Sequence, residues 1–186
     1  MLALLRDMLG LEWRVNAVLL ATDVQYSERG AIAAGLLFTG WSASSAGQEI
    51  TQPIERVAPY EPGSFYKREL PCLLRLLKNV DLATLEAVII DGYVTLGASS
   101  KSGLGMHLYE ALVGKVPVVG VAKNRFVGTP ADCEVLRGTS QNPLFVTAVG
   151  MSLAAAKGHV VEMHGAYRFP TLLKRVDQLC RGIASS

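Results

Sequence analysis

The sequence predicts a mixed α/β fold in which helices cover one sheet. Three observations support this prediction: antiparallel strand signals come first along the chain, strand–helix alternation follows, and 50% of the 186 residues are hydrophobic. A chain of this length and composition suits one globular domain with a sizeable core. We therefore expect a single domain over residues 1–186, with the helices packed against the sheet.

The first half of the chain carries the antiparallel signals. Residues 14–24 form an apolar run, "SERG" (27–30) supplies a polar turn, and residues 31–40 form a second apolar run. Two such runs joined by a short turn predict a β-hairpin. Residues 49–57 then alternate apolar and polar side chains, and Pro53 suits a strand at the edge of a sheet.

Helix and strand patterns alternate in the second half of the chain. An apolar face predicts a helix that begins near Pro71; its members are Leu70, Leu73, Leu74 and Leu77. Apolar runs and helical spacing predict the other elements. These are strands at 86–91, 116–123 and 143–151, and helices at 103–114 and 167–182.

The composition argues against several classes of protein. Charged residues make up 18% of the chain and the formal net charge is +2, so a nucleic-acid partner would be held by local patches. No apolar run reaches the ~20 residues that cross a bilayer, and we expect no membrane association. The N-terminal "MLALLRDMLGLEWR" predicts an amphipathic helix rather than a signal peptide, because charged residues interrupt it. Cys72, Cys133 and Cys180 are odd in number and lack a metal-finger spacing, which favours the reducing cytoplasm.

Carboxylates follow two apolar runs that read as buried strands. Val18-Leu19-Leu20 leads to Asp23, and Val88-Ile89-Ile90 leads to Asp91. Glu69 lies at the start of the predicted helix, from which it can face the sheet. Since sites in open α/β sheets lie at strand ends, these three acids can converge. Converging carboxylates raise one another's pKa unless a cation intervenes, and hard oxygen ligands suit Mg²⁺ or Mn²⁺.

Each of these residues also has a purely structural explanation. An aspartate after a strand is commonly a turn former or a helix cap, and Glu69 suits the positive end of a helix dipole. Lys123, which ends "VVGVAK", suits a solvated strand end. Spacing alone therefore leaves two interpretations open: unrelated structural residues, or a metal-dependent phosphoryl-transfer site.

Four motifs resemble those of the endonuclease V family. In chain order they are "TDVQY" (22–26), "PYEPGSFYKREL" (59–70), "VIIDGY" (88–93) and "PVVGVAKN" (117–124). A fifth segment, "YRFPTLLKRVDQ" (167–178), is similar to the family's C-terminal Tyr-Arg-x-Pro segment. The resemblance implies a ribonuclease H-like sheet flanked by helices. It also implies a monomeric repair endonuclease that uses Mg²⁺ or Mn²⁺ and cleaves near deoxyinosine in DNA, with inosine-containing RNA as a further substrate.

The resemblance also implies roles for individual residues. The implied metal-binding acids are Asp23, Glu69 and Asp91, which form the catalytic group together with Lys123 beside the scissile phosphate. The implied wedge that enters the duplex at the lesion comprises Pro59, Tyr60, Glu61 and Pro62. The implied pocket for the flipped base comprises Gly63, Phe65 and Gly92. Stacking of a ring such as that of Tyr60 on a base contributes about 1–3 kcal/mol; the structural alternative is a Pro-Tyr turn packed on the core.

Two positions depart from the family pattern. Val94 stands where the family usually has a second glycine after the aspartate, and Met151 stands where it places a histidine after its last strand. We expect Met151 at the rim of the acidic cluster. Because methionine has no proton to donate, we also expect a slow or Mn²⁺-favouring nuclease. The histidines His107, His159 and His164 are expected to be packing or surface residues.

Three functions are therefore compatible with the sequence. The first is an inosine-directed endonuclease, and the second is a ribonuclease H-like nuclease with another substrate. The third is a nucleic-acid-binding protein that has lost catalysis. The presence of all three acids and of Lys123 argues against the third.

Overall fold

The computed structural model describes residues 17–59, 61, 63–98 and 101–184. The strands in these ranges are β1 (Val18–Ser27), β2 (Gly30–Thr39), β3 (Gln48–Ile54), β4 (Leu85–Asp91), β5 (Thr95–Leu96), β6 (Lys101–Ser102), β7 (Val118–Ala122), β8 (Glu134–Val135) and β9 (Leu144–Val149). Seven of them form one mixed sheet in the order β3-β2-β1-β4-β7-β9-β8, while β5 and β6 form a separate ribbon. β4 pairs in parallel with β1 and β7, and the other neighbours in the sheet are antiparallel.

Helices cover both faces of this sheet. They are α1 (Tyr66–Leu77), α2 (Leu104–Ala111), α3 (Leu153–Glu162) and α4 (Thr171–Cys180). α1 and α2 contribute to the core on one face of the sheet, and α3 and α4 contribute to the core on the other. Successive strand residues point to opposite faces, so Leu20 and Val88 face α1 and α2, whereas Leu19 and Ile89 face α3 and α4.

The predicted fold class is confirmed. β1 and β2 form the hairpin, with Ser27 paired to Gly30 across the turn. β3 lies at the edge of the sheet, and Pro53 occupies it as expected. Among the described helices, none is long and apolar enough to span a membrane. The amphipathic helix predicted before Arg14 lies outside the described residues.

The helix predicted to begin near Pro71 begins five residues earlier, at Tyr66. The backbone N–H groups of Lys67 and Arg68 already donate to the carbonyls of Ser64 and Phe65, which starts the helix ahead of the proline. Pro71 therefore lies inside α1, on its exposed side, where water can bond to the carbonyl that the ring leaves free. As a consequence, Glu69 lies within the first turn of α1.

Several elements were not predicted. α3 has a weak apolar stripe and contains Gly158, and the ribbon strands β5 and β6 are two residues each. Patterns this short or this weak give little periodic signal. Ser152 caps α3, since its hydroxyl accepts a hydrogen bond from the N–H of Ala155 at 3.2 Å.

Candidate active site

Asp23 and Asp91 lie side by side on adjacent parallel strands. The register pairs Thr22 of β1 with Ile90 of β4, so the next residue of each strand is an aspartate. Neighbouring strands are about 4.8 Å apart. Both carboxylates line one small cavity together with Val121 and Val176. The sheet thus brings together the two aspartates that the sequence singled out.

Burial makes this pair of carboxylates electrostatically unfavourable. Burial and then the charge of Asp91 raise the pKa of Asp23 to about 6, although the N–H of Val24 donates to Asp23 Oδ1 at 2.8 Å and opposes the shift. A folded acid that resists ionisation in this way gains from a nearby cation.

Glu69 approaches the same cluster from α1. Its residue is only 4% exposed, and within the described ranges its Oε2 has no hydrogen-bond partner. Burial raises its pKa well above the ordinary value, and the charges of Asp23 and Asp91 raise it further. Three acids therefore share one region. As they stand, however, no three His, Cys, Asp or Glu side chains in the described chain form a group that could hold a metal ion.

Lys123 follows β7 and points into the acidic cluster. Its Nζ lies 3.0 Å from Asp91 Oδ2 and 3.8 Å from Asp177 Oδ1, and it sits 4.4 Å from the centre of the Phe169 ring. The predicted lysine therefore forms an ion pair with Asp91 and lies near Asp177, at one side of the acidic cluster.

Asp177 is a fourth acid that the sequence analysis did not identify. It lies on α4, raises the pKa of Asp23, and pairs with Arg181 at 3.0 Å. The available signal was its spacing, since Asp177 falls four residues after the buried Leu173 and next to the buried Val176.

A larger cavity opens on the other side of Asp91. Its volume is about 310 Å³, and its lining includes all three residues of the implied base pocket: Gly63, Phe65 and Gly92. The segment after Asp91 reaches this place by crossing β7 at Gly120, where a Cβ would lie 2.6 Å from the carbonyl oxygen of Gly92. Asp91 lines both this cavity and the acidic one.

The implied wedge is described only in part, because Tyr60 and Pro62 lie outside the described residues. Pro59 and Glu61 are exposed. The Glu61 carboxylate accepts hydrogen bonds from Ser64 Oγ at 3.1 Å and from Lys67 Nζ at 2.9 Å, so it folds back along its own loop. The wedge role of these residues stays a prediction.

The prediction that Met151 lies at the rim of the acidic cluster is wrong. β9 runs antiparallel to β7, with Val149 opposite Val118 and Phe145 opposite Ala122. Met151 therefore lies beyond the end of the sheet opposite to Asp91, where it packs against the core. The expectation of a slow or Mn²⁺-favouring nuclease, which assumed Met151 at the cleavage site, therefore loses its basis.

Val94, His107 and His159 serve packing, and His164 lies at the surface. Val94 is fully buried, and a Cβ at Gly105 would come within 2.7 Å of it. It therefore occupies the core beneath α2 rather than the cavity. His107 stacks on Tyr66 and His159 stacks on Trp41, as expected of packing residues. The third, His164, places its Nδ1 3.0 Å from the hydroxyl oxygen of Thr171.

Sequence comparison finds one family across most of the chain. The family model described as Endonuclease V matches residues 9–163. A protein from Streptomyces coelicolor named Endonuclease V is 31% identical over 182 residues, covering 86% of this chain and 76% of its own. One of the same name from Ignicoccus hospitalis is 31% identical over 141 residues, covering 69% of this chain and 64% of its own, just under two thirds.

Solved structures give the same fold. The endonuclease V of Streptomyces avermitilis superposes with a TM-score of 0.68 at 27% identity, covering 90% of this chain and 81% of that one. The endonuclease V of Ciona intestinalis superposes with a TM-score of 0.69 at 19% identity, covering 91% of this chain and 86% of that one. It was solved in complex with a 24mer DNA containing an inosine followed by a ribo-adenosine.

Proposed function

The chain belongs to the endonuclease V family, and we propose that it is a metal-dependent endonuclease that cleaves a phosphodiester near inosine in DNA, in nucleic-acid repair. Inosine-containing RNA is the second candidate substrate. The observation that carries this proposal is the position of Asp91. It borders both the acidic cavity and the larger cavity that can hold a base. A base bound in the larger cavity would therefore place its neighbouring phosphate next to the acidic cavity.

The acids fit a hard divalent cation. Glu69 has a buried oxygen without a partner among the described residues, and burial together with the charge of Asp91 raises the pKa of Asp23 despite the nearby Lys123, so a further cation would stabilise the ionised acids. Mg²⁺ is usually held by one or two carboxylates and completes its shell with water. We propose Asp23, Glu69 and Asp91 as the acids that would hold the cation, with Asp177 as a flanking acid.

When bound, a divalent cation stabilises charge on the phosphate and makes water a stronger nucleophile. The protein's own residues do the rest. The Lys123 ammonium group is carried on a flexible four-carbon chain. It can therefore exchange its contact with Asp91 for one with the scissile phosphate. Gly63, Phe65 and Gly92 would hold the flipped base, and Tyr60 would fill the space that it leaves. The three free, buried cysteines support a reducing compartment, for which we propose the cytoplasm.

The direct test is cleavage of labelled strands that contain one inosine. Single- and double-stranded DNA and RNA would be incubated with the protein and Mg²⁺, Mn²⁺ or EDTA, beside strands with adenine at the same place. We expect cleavage only with inosine and a metal. Equal cleavage of both strands would favour a ribonuclease H-like nuclease of other specificity, and binding without cleavage would favour a non-catalytic protein.

In the metal-free protein, the free energy of unfolding should fall as the pH rises from about 4 to above 6. The pKa of Asp23 is raised to about 6 and that of Glu69 is raised as well. The folded protein therefore keeps protons that the unfolded chain has already lost. This contribution is full below about pH 4 and is lost as the pH passes through the folded pKa. Because Mg²⁺ favours the ionised acids, it should raise the melting temperature more at about pH 7.5 than at about pH 5.

Two variants control the melting experiment. Asp23→Asn removes one of the acids, so both the fall with pH and the Mg²⁺ shift should become smaller. Glu55→Gln neutralises an exposed acid just after β3 and should behave like the wild type. A melting temperature that Mg²⁺ leaves unchanged at both pH values would contradict the metal site.

A further inference from the structure

Tyr93 ties the segment after β4 to the connection between β7 and β8. Its hydroxyl donates to the carbonyl of Asn124 at 2.8 Å and accepts from the N–H of Phe126 at 3.1 Å. The rings of Tyr93 and Phe126 lie 6.2 Å apart and tilted. A Cβ at Gly97 would be 3.1 Å from the carbonyl oxygen of Val127, so the two segments are in close contact. The Tyr93 hydroxyl thereby holds the backbone on both sides of Arg125, at Asn124 and at Phe126.

This arrangement brings Phe126 to the larger cavity beside Asp91. The ring lines that cavity, and the residue remains 43% exposed. Phe65 lines the same cavity and is 47% exposed. A single exposed apolar side chain is ordinary, but two exposed phenylalanines on one cavity indicate a site for an apolar or planar ligand. Tyr66 and Leu104 add further apolar lining, so the chemistry favours a planar aromatic ring.

We propose that Phe126 stacks on a flipped purine base in this cavity and that Tyr93 is the positioning residue that holds Phe126 there. The inference rests on the proposed function and adds to it a residue that holds the base by stacking. Purines offer the larger ring area for such a contact. Tyr93 immediately precedes Val94, and its two hydrogen bonds help to shape the cavity.

The test compares binding to two strands that differ only in the base. Fluorescence anisotropy in EDTA would measure binding to a single-stranded DNA with one inosine and to the same strand with an abasic site. Phe126→Ala should weaken binding of the inosine strand by about 10- to 100-fold and change binding of the abasic strand by less than about twofold. Phe126→Leu keeps the apolar bulk without the flat ring and should also lose affinity, whereas Phe126→Trp should keep it. Val127→Ala, in the same connection but outside the cavity lining, is the matched control and should bind like the wild type.

Tyr93→Phe tests the positioning role. It removes only the hydroxyl, and we expect binding of the inosine strand to weaken about 3- to 10-fold with no change for the abasic strand. Tyr109→Phe is the matched control, since within the described ranges the Tyr109 hydroxyl makes no hydrogen bond. If the wild type discriminates between the strands and Phe126→Ala discriminates equally well, this inference is overturned and the proposed function stands. If the wild type binds both strands alike, or neither, the base-pocket part of the proposed function falls too.

Discussion

Replacing Asp91 by asparagine should reduce cleavage of an inosine-containing strand by at least about 10³-fold, because the amide is a poor ligand for a hard cation. Stabilisation by a metal ion is worth several kcal/mol, which corresponds to a rate factor of this size. Asp91 lines both the acidic cavity and the larger one, so the substitution removes a carboxylate at the place where the proposed metal-binding acids meet the proposed base pocket. Single-turnover cleavage in Mg²⁺ would measure it.

The fold should survive this substitution. The change removes a carboxylate that raises the pKa of both Asp23 and Glu69, which favours the folded state. It also removes the partner of Lys123, but that pair is partly exposed and contributes at most about 1 kcal/mol. We therefore expect a melting temperature equal to or above that of the wild type. Asp132→Asn, in the β7–β8 connection, is the matched control and should cleave normally. Wild-type cleavage by Asp91→Asn would remove the acids from the mechanism.

The parts of the site that the sequence predicted lie on elements with a strong local pattern. Asp23 and Asp91 follow strongly apolar segments, and such segments pair as neighbouring strands whose ends meet. Glu69 could be placed near the sheet because it belongs to the start of a segment with a clear amphipathic pattern, although the helix begins three residues before it. In each case the residue's neighbours in sequence determine its position relative to the sheet.

The parts that failed depend on how elements are oriented in space. Met151 was misplaced because the pattern of β9 gives no direction, and the strand runs antiparallel to β7. Asp177 was missed because its approach to Asp23 depends on how α4 docks on the sheet. The contact between Tyr93 and Phe126 was missed because the Tyr93 hydroxyl joins two loops that are 33 residues apart in sequence. No local periodicity encodes such contacts.

Arg137 is the clearest example of a residue whose role only the structure reveals. It is 5% exposed, and its guanidinium donates to the carbonyls of residues that lead from α3 towards α4. The acceptors are Val161, Met163, Gly165, Tyr167 and Arg168. No carboxylate takes part in these contacts. One buried cation therefore organises the backbone of the α3–α4 connection.

Replacing Arg137 by methionine should lower the free energy of unfolding by about 3–5 kcal/mol. The apolar side chain fills similar space but leaves several carbonyls without donors, and an unsatisfied buried group costs about 1–3 kcal/mol. At about 2–4 °C per kcal/mol for a protein of this size, the melting temperature should fall by roughly 6–20 °C. Thermal unfolding monitored by circular dichroism would measure it. Arg137→Lys should give a smaller loss, because the ammonium keeps the charge but cannot reach as many acceptors.

The matched control is Arg75→Met on the exposed side of α1, for which we expect a change within about 0.5 kcal/mol. A loss below about 1 kcal/mol for Arg137→Met would mean that the connection keeps its shape without the guanidinium. Activity separates the two possibilities further. The connection contains Arg168, which donates to the carbonyls of Lys123 and Pro143, and it leads into the helix that carries Asp177. If Arg137 sets this path, the Arg137→Met variant should cleave about 10²-fold more slowly than the wild type, even at a temperature at which the variant is folded. A shift of about 1 Å in the placement of Lys123 and Asp177 is enough for such a loss.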